Sequence, residues 1–332
     1  MDIFSTLKKV LKKDFSVDVI FNFISTIILG VSGIILNTII GNHYGPTGLG
    51  IFNQSLAIYT ITSLFTVLGL QTSVVKYTAE FKDDQISINS LISSSILLIL
   101  PFSILLTAIL IVISFIFPSI YFNSEVTIST RYILIGIPLF VLNKIYAALL
   151  NGKRDMRIYA INQTLRWLLI LILILLALFL DLGIEIAVLS FFITEVMLLI
   201  WMVIYSRKYF SFVFEYNKIW LKKHFEFGSK TLLLSMLGEV NNKADIFLIG
   251  FFLSSYFVGI YSFASTIVHG LLMFSGVVQL NINPIISNLW AKGEKEQIQI
   301  YSRKVAKATT LIIVPLILIS AIAYPVFINL FM

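Results

Sequence analysis

Read for its hydrophobic and polar positions, the chain is a succession of long apolar stretches separated by short polar breaks. Nine stand out, at about 18–41, 48–76, 88–117, 129–151, 157–180, 184–206, 227–251, 255–287 and 304–330. Crossing the ~30 Å hydrocarbon core of a bilayer takes an α-helix of about 20 apolar residues, and each stretch is long enough. The clearest core runs from Trp167 to Leu180, with no polar side-chain atom except the indole N–H. Strands of a membrane β-barrel would be about 10 residues long and alternate in polarity. These stretches do neither, so the pattern predicts an all-α membrane protein, a polytopic helical bundle of about nine transmembrane helices.

Composition sharpens this. Of 332 residues, 58% are hydrophobic and 12% charged, about half the charged share of a soluble domain. That excludes a cytosolic enzyme and a disordered chain, and the lack of cysteine excludes a disulfide scaffold. The net charge of +7 raises the question of nucleic acid, which the placement of the charges answers. With the N-terminus inside, the inner segments hold Lys8, Lys9, Lys12 and Lys13, then Lys76 and Lys82, then Lys153, Arg154 and Arg157. Arg207, Lys208, Lys218, Lys222 and Lys223 follow, and finally Lys292, Lys295, Arg303, Lys304 and Lys307. Arg131 alone falls in an outer loop. This asymmetry predicts a multi-pass protein of the cytoplasmic membrane with a cytoplasmic N-terminus, its basic loops facing anionic headgroups. No segment offers the soluble basic face that nucleic acid needs. The first basic run precedes an apolar stretch too long for a signal peptide. Residues 3–15 place Ile3, Phe4, Leu7, Leu11 and Phe15 on one face, predicting an interfacial amphipathic helix within 1–16.

The chain also repeats itself. A shift of 209 residues brings Ile40-Gly41 onto Ile249-Gly250, and Gly50-Ile51-Phe52 onto Gly259-Ile260-Tyr261. Lys13 falls on Lys222. Gly41, Gly50, Gly250 and Gly259 are thus the repeat glycines. Six spans separate the copies, so both enter the membrane in the same direction, a parallel repeat about an axis along the membrane normal. The expected organisation is a first six-helix lobe over 1–206, a cytoplasmic amphipathic linker over 207–226, and the first three helices of a second lobe over 227–332. Symmetry calls for three more spans, so the expectation is a fragment or truncated product, against the plainer alternative of a natural nine-span protein.

The segment Gly41-Asn-His-Tyr-Gly-Pro-Thr-Gly-Leu-Gly-Ile-Phe52, followed by Leu68-Gly-Leu-Gln-Thr-Ser-Val-Val-Lys-Tyr-Thr-Ala-Glu80, resembles the first two spans of polysaccharide flippases. These belong to the multidrug/oligosaccharidyl-lipid/polysaccharide exporter superfamily. Asp245-Ile-Phe-Leu-Ile-Gly250 and Val258-Gly-Ile-Tyr-Ser-Phe-Ala264 resemble the start of that family's second lobe. The resemblance implies two lobes of helices around a central cavity, twelve or fourteen spans in all.

Charges at membrane depth are expensive and usually face a cavity or a partner. The stretch 227–251 holds Glu239, Asn241, Asn242, Lys243 and Asp245 within seven residues. At 100° per residue, Glu239, Asn242 and Lys243 share a face, which should line water or another helix. One account is a headgroup site at Lys243, with Asp245, Glu239 and Asn242 available to a coupling cation. The plainer one is a self-neutralising Glu239–Lys243 pair. Lys144, Arg166 and Arg131 are further headgroup candidates, against snorkelling for Lys144 and a simple loop charge for Arg131. Glu195 has no cation within four residues and reads either as a protonated structural group or as a proton site. His269 is more simply a helix-contact residue and Lys76 a topology anchor. Pro101, Pro138, Pro284 and Pro315 are expected to kink their helices.

Three functions come into question for such a chain. The first is alternating-access translocation of a polyprenyl-pyrophosphate-linked oligosaccharide, coupled to H+ or Na+, with membrane lipids around it and no cofactor or metal. The second is a cation-coupled multidrug or metabolite exporter. The third, a membrane glycosyltransferase, lacks the acidic loop cluster such chemistry needs. No nucleotide-binding glycine loop is present either. The residues point to a transporter rather than an enzyme.

Overall fold

A computed structural model of the chain describes residues 13–214, 217–291 and 293–331. Among them the structure is helix and loop, with no strand. The helices are α1 (Lys13–Val67), α2 (Leu70–Glu80), α3 (Gln85–Ile116), α4 (Ser124–Leu134), α5 (Ile137–Gly152) and α6 (Met156–Phe179). They continue with α7 (Ile184–Ala187), α8 (Leu189–Ser206), α9 (Lys218–Phe252), α10 (Ser255–Ala291) and α11 (Lys295–Phe331). The interfacial helix expected within 1–16 falls mostly outside the described residues.

Among the described residues, five helical runs are long and apolar enough to cross a membrane, or six if α4 and α5, bent by 46°, form one broken span. The fold class is as expected, but the count of nine is not reached by this measure, for local reasons. The first apolar stretch and most of the second lie in the single run α1, interrupted where Gly45 leaves helical geometry (φ 68°, ψ −178°) just before Pro46. The bend before α5 comes where Pro138 opens that helix. The helix α9 carries Lys230, Glu239, Lys243 and Asp245, too many charges for an apolar span. Pro101, by contrast, sits inside an unbroken α3.

The chain forms two compact units. One spans His43–Ser262; the other joins Met1–Asn42 to Phe263–Met332. In the larger unit α5 is the hub, packed on α2, α3, α6 and α8. Its apolar residues run all round the helix, and Val141, Ile145, Leu149 and Leu150 are buried. Gly152 at its end allows α2 close: an added methyl would lie 2.5 Å from Thr78 Cβ and 3.0 Å from Val75 O. Polar side chains inside the helices fold back on their own backbone, as apolar surroundings require. Asn53 Nδ2 donates to Leu49 O (3.1 Å) and Thr60 Oγ1 to Leu56 O (2.8 Å).

Two of the repeat glycines meet in this unit. A methyl group on Gly50 would collide with Ser255 O and lie 3.0 Å from Gly259 N. A methyl on Gly259 would collide with Pro46 O and lie 3.1 Å from Gly50 N. Ser255 and Pro46 are themselves 209 positions apart. Each half of this contact is therefore the repeat image of the other, as at a two-fold axis. Only residues without a side chain let the backbones approach this closely.

The segment after α8 is docked, not free. Ser211 N donates to Asn89 Oδ1 (3.0 Å), Val213 N to Ser93 Oγ (2.9 Å) and Asn217 Nδ2 to Ser90 Oγ (3.1 Å), all on α3. Asn217 also caps α9, accepting from Ile219 N at 3.0 Å. One turn on, Trp220 packs edge-on against Tyr77 and Phe81. His224 is fully buried, its Nδ1 2.8 Å from Ser73 Oγ and its Nε2 2.9 Å from Ser95 Oγ. Burial pushes its pKa down from 6.5 to about 4, against a backbone contact with Leu91 that works the other way. Beyond it, Gly228 crosses Gly69, where a methyl on Gly228 would lie 2.6 Å from Leu68 O. Gly69 also takes a left-handed φ of 69°.

At the start of α6 a polar knot ties two loops together. Asp155 accepts from Tyr205 (2.6 Å), Tyr209 (2.7 Å) and Lys208 (3.3 Å). Burial works to raise its pKa, but these hydrogen bonds prevail and hold the carboxyl below the usual range.

In the smaller unit, α1 and α10 approach at small residues, with Gly33 against Thr266 and Gly270 against Ile34. Asn37 Nδ2 donates to Gly33 O at 2.8 Å. The described apolar side chains of α11 are largely uncovered, Leu311 and Ile322 among them, as suits a lipid-facing helix.

Candidate functional site

Arg166, Glu195, Lys144, Glu239, Lys243 and Asp245 all lie in the larger unit. Arg166 on α6 and Glu195 on α8 are both buried and form a two-pronged pair, Nε to Oε1 at 2.8 Å and Nη2 to Oε2 at 3.2 Å. Asn143 on α5 completes it, donating from Nδ2 to Glu195 Oε2 (2.6 Å) and to Glu195 O (3.0 Å). The partner of Glu195 thus comes from another helix, which is why sequence neighbours gave no hint of it. A fully hydrogen-bonded pair is how a charge survives in low dielectric. Around it, the hydroxyls of Tyr59 and Thr194 and both amide atoms of Asn162 are buried without a protein partner among the described residues.

Lys144 follows Asn143 on α5. Its ammonium lies 5.1 Å from the Phe140 ring centroid, and the Arg166 guanidinium lies 5.0 Å from that ring. Phe140 therefore contacts two cations, a favourable arrangement for a ring face, and stands edge-on to Tyr59. Lys144 is in electrostatic range of Arg166, Glu195 and, on α9, Glu239. Lys243 in turn is in range of Glu239 and Asp245. Among the described residues, Lys144, Lys243 and Glu239 form no ion pair or hydrogen bond with protein. Nor are α5 and α9 among the helix pairs in close contact.

Asp245 is held differently. Its Oδ2 accepts from the Tyr261 hydroxyl of α10, and its Oδ1 accepts from Ile246 N (2.9 Å). Asn242 and Asn241 are exposed, as is Val240, while Glu239 and Lys243 are half-buried. Arg131 lies apart: it donates to Ser114 Oγ (2.9 Å) and Ser114 O (2.5 Å) and stacks on Phe115. There it closes the C-terminal end of α3, a favoured place for a cation. Of the repeat glycines, Gly250 lies against Gln54 and Phe122.

Residues 16–290 match the family described as polysaccharide biosynthesis protein. The chain belongs to that family. A Shigella flexneri protein that carries the name of an O-antigen transporter is 27% identical over 126 residues, which are 36% of this chain and 30% of that protein. The chain therefore spans under a third of the curated relative it matches. Among solved structures, a multidrug resistance MATE family transporter of the MOP superfamily in an inward-facing conformation aligns with TM-score 0.69 and 16% identity. That alignment covers 91% of this chain and 72% of the other. An outward-facing member aligns with TM-score 0.63 and 17% identity, over 94% and 74%. A Pyrococcus furiosus transporter of the same superfamily aligns with TM-score 0.55 and 16% identity, over 88% and 74%. These likenesses establish the transporter fold. Family and apolar helices together make this a multi-pass membrane protein of the polysaccharide biosynthesis family.

Sequence reasoning missed Asn143, Tyr59, Tyr261 and His224. Asn143 carried a signal, since it is a buried-type amide beside Lys144 in an otherwise apolar helix. Tyr59 and Tyr261 carried none, because a tyrosine in a membrane span is ordinary.

Proposed function

We propose that the protein moves a polyprenyl-pyrophosphate-linked oligosaccharide across the cytoplasmic membrane, with its N-terminus cytoplasmic, by alternating access between lobes at 1–206 and 227–332 joined through 207–226. The observation that carries this reading is the pair Lys144 and Lys243. They are two cations at membrane depth on two helices, neither neutralised by a direct ion pair, in a chain of the polysaccharide biosynthesis family. Lysines are point-charge binders of phosphate, and a diphosphate presents two phosphoryl groups to two such charges. The lipid tail would stay in the bilayer while the headgroup sits in the cleft. Arg166 and Arg131, first candidates for the headgroup, serve better as helix ties, since their donors are engaged by Glu195 and Ser114.

Coupling to H+ or Na+ falls to the carboxylates. Asp245, Glu239 and Glu195, with Asn242 beside them, supply oxygen donors whose occupancy would change the charge of the cleft between the two access states. The alternative, a cation-coupled multidrug exporter, draws on the likeness to MATE folds. It would use the same carboxylates and leave the lysines unexplained.

The test is to delete the gene and quantify polyprenyl-linked sugars. Accumulation of a lipid-linked oligosaccharide on the cytoplasmic side, relieved by the wild-type gene but not by Lys243→Ala at equal expression, is the expected result. Unchanged lipid-linked sugars with retention of cationic dyes would replace this reading with the exporter.

A further inference from the structure

The helices that cross at Gly69 and Gly228 carry a second group of cations, at the ends of the apolar stretches instead of within them. Across this crossing the Thr72 and Thr231 hydroxyls lie 2.8 Å apart, and His224 Nδ1 lies 2.8 Å from Ser73 Oγ. These contacts fix the rotation of both helices. Lys76 and Tyr77 then follow Ser73 by one turn on α2, while Trp220, His224 and Phe227 share one side of α9. The result is an aromatic cluster. Ring centroids are 5.7 Å apart for Tyr77–Trp220, 5.3 Å for Phe81–Trp220 and 6.3 Å for Tyr77–Phe227.

Two lysines, one from each helix, rest on this cluster. Lys76 Nζ lies 4.5 Å from the centre of the Phe227 ring and 4.7 Å from that of Tyr77. Lys223 Nζ lies 4.6 Å from the Trp220 ring, 5.2 Å from Phe81 and 5.4 Å from Tyr77. The two ammonium groups thus share the Tyr77 ring. Lys76 is exposed and Lys223 half-buried. Among the described residues, neither forms an ion pair; Glu226, close by on α9, pairs with Lys222 at 3.7 Å. A ring face attracts an ammonium group but leaves most of its three N–H donors free. Lys230, seven residues beyond Lys223 and exposed, continues the same face of α9. Aromatic rings and lysines where apolar stretches end mark the level of lipid headgroups.

We propose that Lys76 and Lys223 form a docking site for the phosphorylated headgroup of a lipid, and that its occupant is a lipid-linked diphosphate on its way to Lys144 and Lys243. The choice of occupant rests on the headgroup reading. Two cations sharing one ring suit a diphosphate, one phosphoryl group to each. The single phosphodiester of a bulk phospholipid would be satisfied by one of them. The lysines are held by ring faces and not by carboxylates, so an arriving anion has no ion pair to break. That suits a site where a ligand is loaded and passed on.

The measurement is binding of farnesyl diphosphate to the purified full chain in phosphatidylcholine nanodiscs, by calorimetry, with empty nanodiscs subtracting partition of the prenyl chain. Lys144→Met with Lys243→Met provides the background in which the remaining binding reports this site. Removing one charge beside the ligand at surface-like dielectric corresponds to about tenfold in affinity. Binding should persist in that background, and Lys76→Gln or Lys223→Gln should each weaken it about tenfold. Lys222→Gln removes the same charge one residue away and should change nothing. If no binding remains in the background, or if the Lys222 variant weakens it as much as the other two, the docking site is refuted. A drop between wild type and the background would still support the deeper headgroup site. No drop there, with binding still dependent on Lys76 and Lys223, would remove the deeper site and keep this one; no binding to wild type removes both. Adding phosphatidylglycerol to the nanodisc separates the two sources of a phosphorylated headgroup. Farnesyl diphosphate should still bind, and its loss would assign the site to bulk anionic phospholipid instead. Elution of each variant as a single species verifies that folded proteins are compared.

Discussion

Lowering the pH should loosen the docked segment ahead of α9 through one side chain. His224 sits outside the apolar stretch of its helix, fully buried between Ser73 and Ser95, with its pKa pushed from 6.5 to about 4. A depressed pKa means the folded state favours the neutral ring. The stabilisation is therefore complete above pH 6.5, declines as the pH falls from 6.5 towards 4, and is gone below about 4. At 1.36 kcal/mol per unit, the difference amounts to roughly 3 kcal/mol. The assay is the apparent unfolding midpoint of detergent-solubilised protein between pH 7.5 and 4. Carboxylates titrate over part of the same range, so the wild type must be set against His224→Gln, which retains a donor and an acceptor but cannot take a proton. At pH 7.5 the variant should be slightly less stable. On acidification it should overtake the wild type, because only the wild type loses those roughly 3 kcal/mol. Parallel profiles for the two proteins would refute the reasoning, for they would show that the ring is either solvated or already charged in the folded state.

Three further outcomes follow from the geometry. Gly50→Ala and Gly259→Ala should each destabilise the folded protein, by about 1–3 kcal/mol or more, and to a similar extent. A large difference between them in thermal stability would argue against the symmetric contact. Glu195→Leu alone should cost about 3–5 kcal/mol by stranding Arg166, whereas Arg166→Leu with Glu195→Leu should recover most of it; equal melting points for single and double variants would contradict the pairing. Cysteines placed singly at 239, 242 and 243 should react with polar thiol reagents in membranes. Labelling confined to 240 and 247 would put the polar sector of α9 against protein instead of water.

The helical class, the charge asymmetry and the repeat were all legible in the sequence, because membrane insertion writes hydrophobicity in blocks of about 20 residues. Gly50 and Gly259 could be matched by register alone. That they meet each other is a consequence of the symmetry the register implied. The polar face of α9 was likewise visible as an excess of charge. What could not be read was who answers whom. Glu195 finds Arg166 across two helices, and Arg131 turns to the end of α3 instead of a ligand. Side-chain pairing between spans depends on rotation and depth, which periodicity leaves open. His224 passed unnoticed because a histidine among lysines reads as one more polar group. The signal lay elsewhere, in the serines of α3: Ser90, Ser93 and Ser95 all receive the docked segment or its helix.

That serine-lined seat has a consequence for biogenesis. Asn89, Ser90, Ser93 and Ser95 leave the ribosome more than a hundred residues before Ser211, Val213, Asn217 and His224, which bind them. The receptor surface can therefore be complete before its occupant is made. When residues 211–224 emerge, they find a prepared edge on which to lie, and α9 starts from a capped, anchored first turn. Its direction into the membrane is then set by a folded surface as well as by the lysines that flank it. The second half of the repeat would inherit its topology from the first by physical contact, with the docked segment acting as the template strip between them.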